Sequence, residues 1–114
     1  MLECGLVTIR AADGLDVELD DDHWMTHIVK GHPEVARHRE LVIETLQHPE
    51  AVHRSKRDPT TRVYTRSYSG IMIGETLVEM ISLRVVVREK ERFVVTAHFV
   101  VAMWRGLGER IWPS

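Results

Sequence analysis

Apolar and polar residues alternate along three stretches in the second half of the chain. These stretches cover 61–68, 77–88 and 93–99. Alternation with a period of two predicts β-strands, because successive side chains of a strand point to opposite faces of its sheet. The charged cluster at 88–92 predicts the hairpin turn between the last two strands. A further short edge strand is expected over 51–55.

The first half of the chain carries turn and helix signals instead. Asp13-Gly14 separates two short β-prone runs and predicts a hairpin over residues 5–19. The three aspartates at 20–22 suit a helix N-terminus, so a helix is expected from Asp21 to Lys30. A second helix is expected from Pro33 to Gln47. Its inward stripe comprises Leu41, Val42, Thr45 and Leu46.

Helices followed by an antiparallel meander predict an α+β domain. In this interpretation the N-terminal hairpin and two helices pack on one face of a four-stranded antiparallel sheet. The 114 residues have room for one domain with one hydrophobic core. The tail, 102–112, is expected to form a short amphipathic helix interrupted by two glycines.

Composition excludes several classes of protein. The chain is 44% hydrophobic and 28% charged, which is typical of a globular domain, and no apolar run is long enough to span a membrane. No basic start precedes an apolar block, so we expect no secretory signal and a cytoplasmic location without a membrane partner. The single cysteine, Cys4, excludes an internal disulfide and an all-cysteine metal site.

Charge is distributed unevenly although the net charge is only −2. Residues 1–22 carry seven acids and one base, whereas 53–66 carry five bases and one acid. The basic stretch is either an anion-binding surface or a solvated loop without a ligand. If it binds anions, the acidic N-terminal segment could lie over it and restrain it.

The alternation also predicts which residues share a face of the sheet. One face is mostly apolar and is expected under the helices; it includes Val63, Thr65, Ser67, Leu83, Val85 and Val87. The opposite face is expected to be exposed; it includes Arg62, Tyr64, Arg66, Tyr68, Ser82, Arg84, Arg88, Thr96 and His98. Arginine binds phosphate oxygens, histidine transfers protons near neutral pH, and tyrosine stacks on bases. The alternative is a polar face chosen for solubility.

The seven histidines offer further candidates. His27 falls on the expected apolar face of the first helix, where it is either a catalytic or phosphate-contacting group or a buried, hydrogen-bonded one. His32 precedes Pro33 and either bonds its own turn or joins the site. His23 and His27 have the spacing of two metal ligands, but no cysteine pair or HExxH motif supports zinc. We therefore expect neither a metal nor another cofactor.

Four segments together resemble a known family. They are the run from Trp24 through His27-Ile28 to His32-Pro33-Glu34, the segment 45–52, Tyr64-Thr65-Arg66, and 94–97. In order and spacing they resemble small phage-associated nuclease-like domains of the barnase–EndoU–colicin–RelE-type fold. The resemblance covers residues 20–99, with 1–19 as an added acidic hairpin and 100–114 as a C-terminal tail.

The resemblance implies a helical layer, a four-stranded sheet and a ribonuclease-like site on the exposed sheet face. It places His27 and His32 on the helix side, Arg66 on a strand and Thr96 on the last strand. His98 stands where an aromatic residue is more usual. The implied function is a metal-independent endoribonuclease, toxin-like or phage-derived, that cleaves RNA through attack of the 2′-hydroxyl.

The expected site combines both lines of reasoning. The candidate catalytic residues are His27, Arg66, Thr96 and His98, and the candidate substrate-binding residues are Arg62, Tyr64, Arg84, Arg88 and His32. A non-catalytic module that binds RNA or another anion is the first alternative. The second is a protein-interaction role, in self-association or antitoxin binding; it would use the apolar tail residues Met103, Trp104, Ile111 and Trp112.

Overall fold

A large mixed β-sheet dominates the computed structural model, which describes residues 5–101 and 105–113. Its strands lie in the order β1-β2-β8-β7-β4-β3-β9, and β5 and β6 form a separate two-stranded sheet. The strands are β1 Leu6–Arg10, β2 Asp16–Asp20, β3 Ala51–Ser55, β4 Thr61–Tyr68, β5 Ile71–Ile73, β6 Thr76–Val78, β7 Ile81–Arg88, β8 Phe93–Val100 and β9 Leu107–Trp112. Within the described ranges, no helix is long and apolar enough to cross a membrane.

The predicted fold class is wrong. The main sheet has seven strands rather than four, it is mixed rather than antiparallel, and strands rather than helices make up most of the chain. The N-terminal hairpin does not form a separate layer against the sheet. Its strands β1 and β2 extend the main sheet, because Glu18 of β2 pairs in parallel with Phe93 of β8.

The first helix covers residues 21–31 and contains a π-helical turn, Trp24–Ile28, between short α-helical turns. The side chain of Asp20 accepts a hydrogen bond from the backbone N–H of Asp22 and caps the helix. Trp24 and Ile28 are buried, as expected, but His27 is exposed. A π turn advances each residue by a smaller angle than an α turn. His27, three residues after Trp24, is therefore rotated away from the core.

The second helix begins later than the sequence predicts. Pro33–Val35 form a separate 3₁₀ turn, and the α-helix covers only Arg39–Gln47. Its buried stripe is confirmed, since Val42, Thr45 and Leu46 are inaccessible and Leu41 packs against the core. The helix packs against β1, β4 and β7.

The tail is a strand where an amphipathic helix was expected. Leu107–Trp112 form β9, which pairs antiparallel with β3. The strand over 51–55 exists, but β9 covers it, so it is not an edge strand. Gly108 allows this pairing, because a Cβ atom there would lie 2.9 Å from the Arg54 carbonyl oxygen. Met103 and Trp104 lie outside the described residues.

The two faces of the sheet differ from the prediction along β4 and at the start of β8, where Val94 pairs with Val87 and is buried. The face that the second helix covers, here the helix face, carries Tyr64 of β4 opposite Val85 of β7 and Ala97 of β8. The predicted faces of β7 are therefore correct, and those of β4 are inverted. Arg62, Tyr64, Arg66 and Tyr68 lie on the helix face. Val63, Thr65 and Ser67 lie on the other face.

Candidate active site on the open face of the sheet

The face opposite the second helix, here the open face, carries four of the nine expected site residues. Register places His98 opposite Arg84, and Thr96 opposite Val86. Arg88 lies two residues beyond Val86 and so on the same face. A cavity of about 470 Å³ lies over these strands, and Arg84, Arg88, Thr96 and His98 line it. The structure thus brings four of the nine candidates to one cavity.

His98, which lines this cavity, is packed against a second histidine, His32, which is not itself a lining residue. Its ring stacks on that of His32 with 5.0 Å between the centroids and 28° between the planes. His32 follows the first helix, which packs along β8, and so reaches the end of that strand. The Nδ1 atom of His32 lies 3.5 Å from a carboxylate oxygen of Glu34. His32 thus lies beside His98, next to the cavity and not in its lining.

Burial makes His98 suitable for accepting a proton. Burial lowers the pKa of His98, and the positive charges of His32 and Arg84 lower it further, against an opposing effect of Glu34. The Nδ1 atom of His98 is buried and, within residues 5–101 and 105–113, has no hydrogen-bond partner. A neutral imidazole at pH 7 can act as a general base.

Four arginines line the cavity, Arg57, Arg84, Arg88 and Arg105, and two of them, Arg84 and Arg88, were expected from the sequence. Arg84 is only 9% exposed, and one of its terminal nitrogens donates to the carbonyl oxygen of Arg105 at 2.6 Å. Arg88 is partly exposed, and its charge contributes to lowering the pKa of Asp58, which also lines the cavity. Arg84 and Arg88 lie four residues apart on the same face of β7. Their guanidinium groups can bind two successive phosphates of one strand.

Arg62 and Tyr64 belong to a buried network and not to the open face. Arg62 contacts the carboxylates of Asp13 at 2.6 Å and Glu89 at 2.5 Å. The Tyr64 hydroxyl donates to Asp13 at 2.8 Å. Two carboxylates therefore neutralise Arg62, which is not available to bind a phosphate on the open face. Asp13, in the turn of the N-terminal hairpin, docks the hairpin onto the helix face.

Arg66 and His27 are not brought together. Arg66 donates to the carbonyl oxygen of His48 at 2.6 Å, close to the end of the second helix. The His27 ring instead contacts Thr26 and lies 4.7 Å from the His23 ring on the first helix. The structure places both outside the open face, so they have no role in the site derived below.

Sequence reasoning missed two groups that the structure places at or beside the open face. Glu34 was quoted only within the His-Pro-Glu motif, and His53, which is 7% exposed, was not among the predicted site residues. The position of His53 on β3 carried no signal, because its burial depends on β9. No group of three or more His, Cys, Asp or Glu residues in the described ranges is arranged to hold a metal ion.

Comparison of the chain with protein-family models, with curated proteins and with solved structures gave no match. The chemistry of the open face is therefore indicated by its own residues.

Proposed function

We propose that the protein is a metal-independent endoribonuclease whose active site is the open-face cavity. The observation that carries the proposal is that His98, which lies opposite Arg84 in this cavity, also stacks on His32. Histidine and arginine are the groups that phosphodiester cleavage without a metal requires. They move protons and stabilise charge on the phosphate in the transition state.

The residues take distinct roles in this reaction. His98, neutral because it is buried, accepts the proton of the RNA 2′-hydroxyl. The 2′-oxygen forms a bond to phosphorus while the bond to the 5′-oxygen breaks, and His32 donates the proton that the leaving oxygen needs. The products are a 2′,3′-cyclic phosphate and a 5′-hydroxyl. Arg84 and Arg88 bind the non-bridging oxygens, and Thr96 offers a hydroxyl beside them.

The geometry of the histidine pair is compatible with in-line displacement. The attacking and leaving oxygens lie on opposite sides of phosphorus, so the base and the acid have to act at separated points. Two rings stacked at 5.0 Å present their edges at such a separation. The Glu34 carboxylate, 3.5 Å from His32 Nδ1, helps to orient that ring.

The test is cleavage of a mixed RNA substrate in the presence of EDTA. We expect His98→Gln and His32→Gln each to lower the rate by about 100-fold or more. His48→Gln, an exposed histidine away from the cavity, is the matched control and should cleave like wild type. Loss of activity in His27→Gln with full activity in His98→Gln would move the site to the first helix and contradict the proposal.

The same experiment distinguishes a nuclease from a module that binds RNA without cleaving it. If the wild type binds RNA in a salt-dependent way but does not cleave it, the open face is an anion-binding surface without catalysis. Binding by such a module would weaken in Arg88→Ala and stay unchanged in His98→Gln.

A further inference from the structure

A second cavity lies on the same side of the sheet, where β3, β4 and β7 meet β9. It measures about 230 Å³. Its lining includes Glu50, His53, Thr65, Ser82, Leu107 and Arg110. None of these residues belongs to the catalytic group described above, although the cavity opens on the same surface.

The two cavities are connected by one row of residues across the sheet. Thr65, in the second cavity, pairs with Arg84, and Arg84 pairs with His98 in the active-site cavity. Adjacent strands lie about 4.8 Å apart, so the row from Thr65 to His98 spans roughly 10 Å. An extended nucleotide can bridge such a distance. Arg84 lies between the two cavities.

Strand β9 is what completes the second cavity. Its register to β3 shifts on both sides of the pair formed by His53 and Arg110. Such irregularities redirect side chains and occur often beside functional sites. Burial lowers the pKa of His53, and the charges of Arg110 and Arg84 lower it further. His53 is therefore a neutral imidazole with one donor and one acceptor.

The lining matches the edge and face of a nucleobase. It contains a carboxylate, two hydroxyls, an imidazole, an apolar side chain for the ring face and a cation at the rim. Glu50 accepts from Ser67, Ser82 contacts Ser67, and Thr65 donates to the Ala51 carbonyl oxygen. Carboxylate and hydroxyl oxygens have more than one lone pair, so each can still accept a hydrogen bond from a base. Pockets for drug-sized ligands measure about 300–1,000 Å³, so this smaller cavity suits one ring system and not a whole nucleotide.

We propose that this second cavity is a nucleobase subsite, which holds the base of the nucleotide next to the phosphodiester that the active-site cavity cleaves. The inference rests on the proposed ribonuclease function. It makes the substrate single-stranded RNA, because a base that enters the cavity cannot remain paired.

The subsite is tested by binding, which does not depend on cleavage. The probe is a fluorescein-labelled trinucleotide of 2′-O-methyl RNA, with the base removed from each position in turn, and its affinity is measured by fluorescence anisotropy. In wild type, one of the three positions should lose about tenfold in affinity when its base is absent. In His53→Gln and in Arg110→Ala that penalty should fall below about twofold.

Two controls make the result specific. Arg110 is exposed, so Arg110→Ala should fold even if His53→Gln does not. Glu109→Gln changes the neighbouring residue of β9, which is exposed and does not line the cavity, and should keep the wild-type penalty. Equal penalties at all three positions, a penalty unchanged in both variants, or no binding of the probe overturns the subsite.

The two proposals fail in different ways. If the unmethylated trinucleotide is not cleaved but the position-specific penalty is present and depends on Arg110, the nuclease proposal fails and the subsite stands. If the trinucleotide is cleaved and no position shows the penalty, the subsite fails and the nuclease proposal stands.

Discussion

Asp13 provides the strongest test of how the N-terminal hairpin is held. Its side chain is 3% exposed and contacts Arg62, which is 19% exposed, and the buried hydroxyl of Tyr64. Asp13→Asn keeps the shape of the side chain but removes its charge. It also places an N–H₂ group where one of two donors now points. We therefore expect a large loss of stability from a nearly isosteric change.

The magnitude follows from the contacts. Removing one partner of a buried ion pair costs about 3–5 kcal/mol, because the remaining charge stays buried and unpaired. Arg62 keeps its contact with Glu89, so the loss should lie at the lower end, about 3 kcal/mol. Domains of this size are stable by about 5–15 kcal/mol, so the variant should still fold at 25 °C.

The assay is urea unfolding followed by circular dichroism. Asp16→Asn is the matched control, because Asp16 contacts Arg10 in the same hairpin but both side chains are largely exposed. It should lose no more than about 1 kcal/mol. If the free energy of unfolding falls as little in Asp13→Asn as in Asp16→Asn, the contacts of Asp13 with Arg62 and Tyr64 do not hold the hairpin, and the role assigned to Asp13 is wrong.

Three further predictions follow from the same structure. Folding lowers the pKa of His98, so this residue destabilises the folded protein once the pH falls below the ordinary histidine pKa of about 6.5. Between pH 7.5 and 5.5 the free energy of unfolding, measured with urea, should therefore fall less in His98→Gln than in wild type. Equal decreases would refute this. Gly108→Ala should cost about 1–3 kcal/mol because its Cβ would meet β3, whereas Gly31→Ala, with open space around it, should be neutral or stabilising in the same assay. RNA affinity should fall with salt concentration, and Arg88→Ala should reduce the slope of log affinity against log salt by about one, a result that an unchanged slope would contradict.

Local signals in the sequence were sufficient for many elements of the fold. Asp13-Gly14, the aspartates at 20–22 and the alternation along 93–99 correspond to the hairpin, the first helix and β8. These features depend on residues close in sequence, where capping, turn chemistry and periodicity act directly.

The faces of β4 could not be assigned from the strand alone. Tyr64 was predicted to be exposed because the alternation places it on the same face of β4 as Arg62 and Arg66. It is buried because Asp13, 51 residues away, accepts its hydrogen bond. A partner so distant in sequence leaves no trace in the local pattern. The error placed Arg62 and Arg66 on the wrong face. They are two of the four arginines that were expected on the exposed face.

Strand β9 was missed for a related reason. The two glycines at 106 and 108 were interpreted as interruptions of a helix. Gly106 has a φ of 79°, and Gly108 lies against the backbone of β3, so both serve strand pairing. The pairing partner is again distant in sequence. The site residues on β7 and β8, whose faces were assigned correctly, are those that the structure brings to the open face: Arg84, Arg88, Thr96 and His98.

The most direct test of the central claim is the chemistry of cleavage at a single defined ribose. The substrate is a 2′-O-methyl RNA that carries one unmodified ribose, incubated with the protein in EDTA, and the products are identified by mass spectrometry. Our account predicts cleavage only after that ribose, a 2′,3′-cyclic phosphate product, and a rate about 100-fold lower in His98→Gln. Cleavage of the fully methylated RNA, or an undiminished rate in His98→Gln, would contradict it.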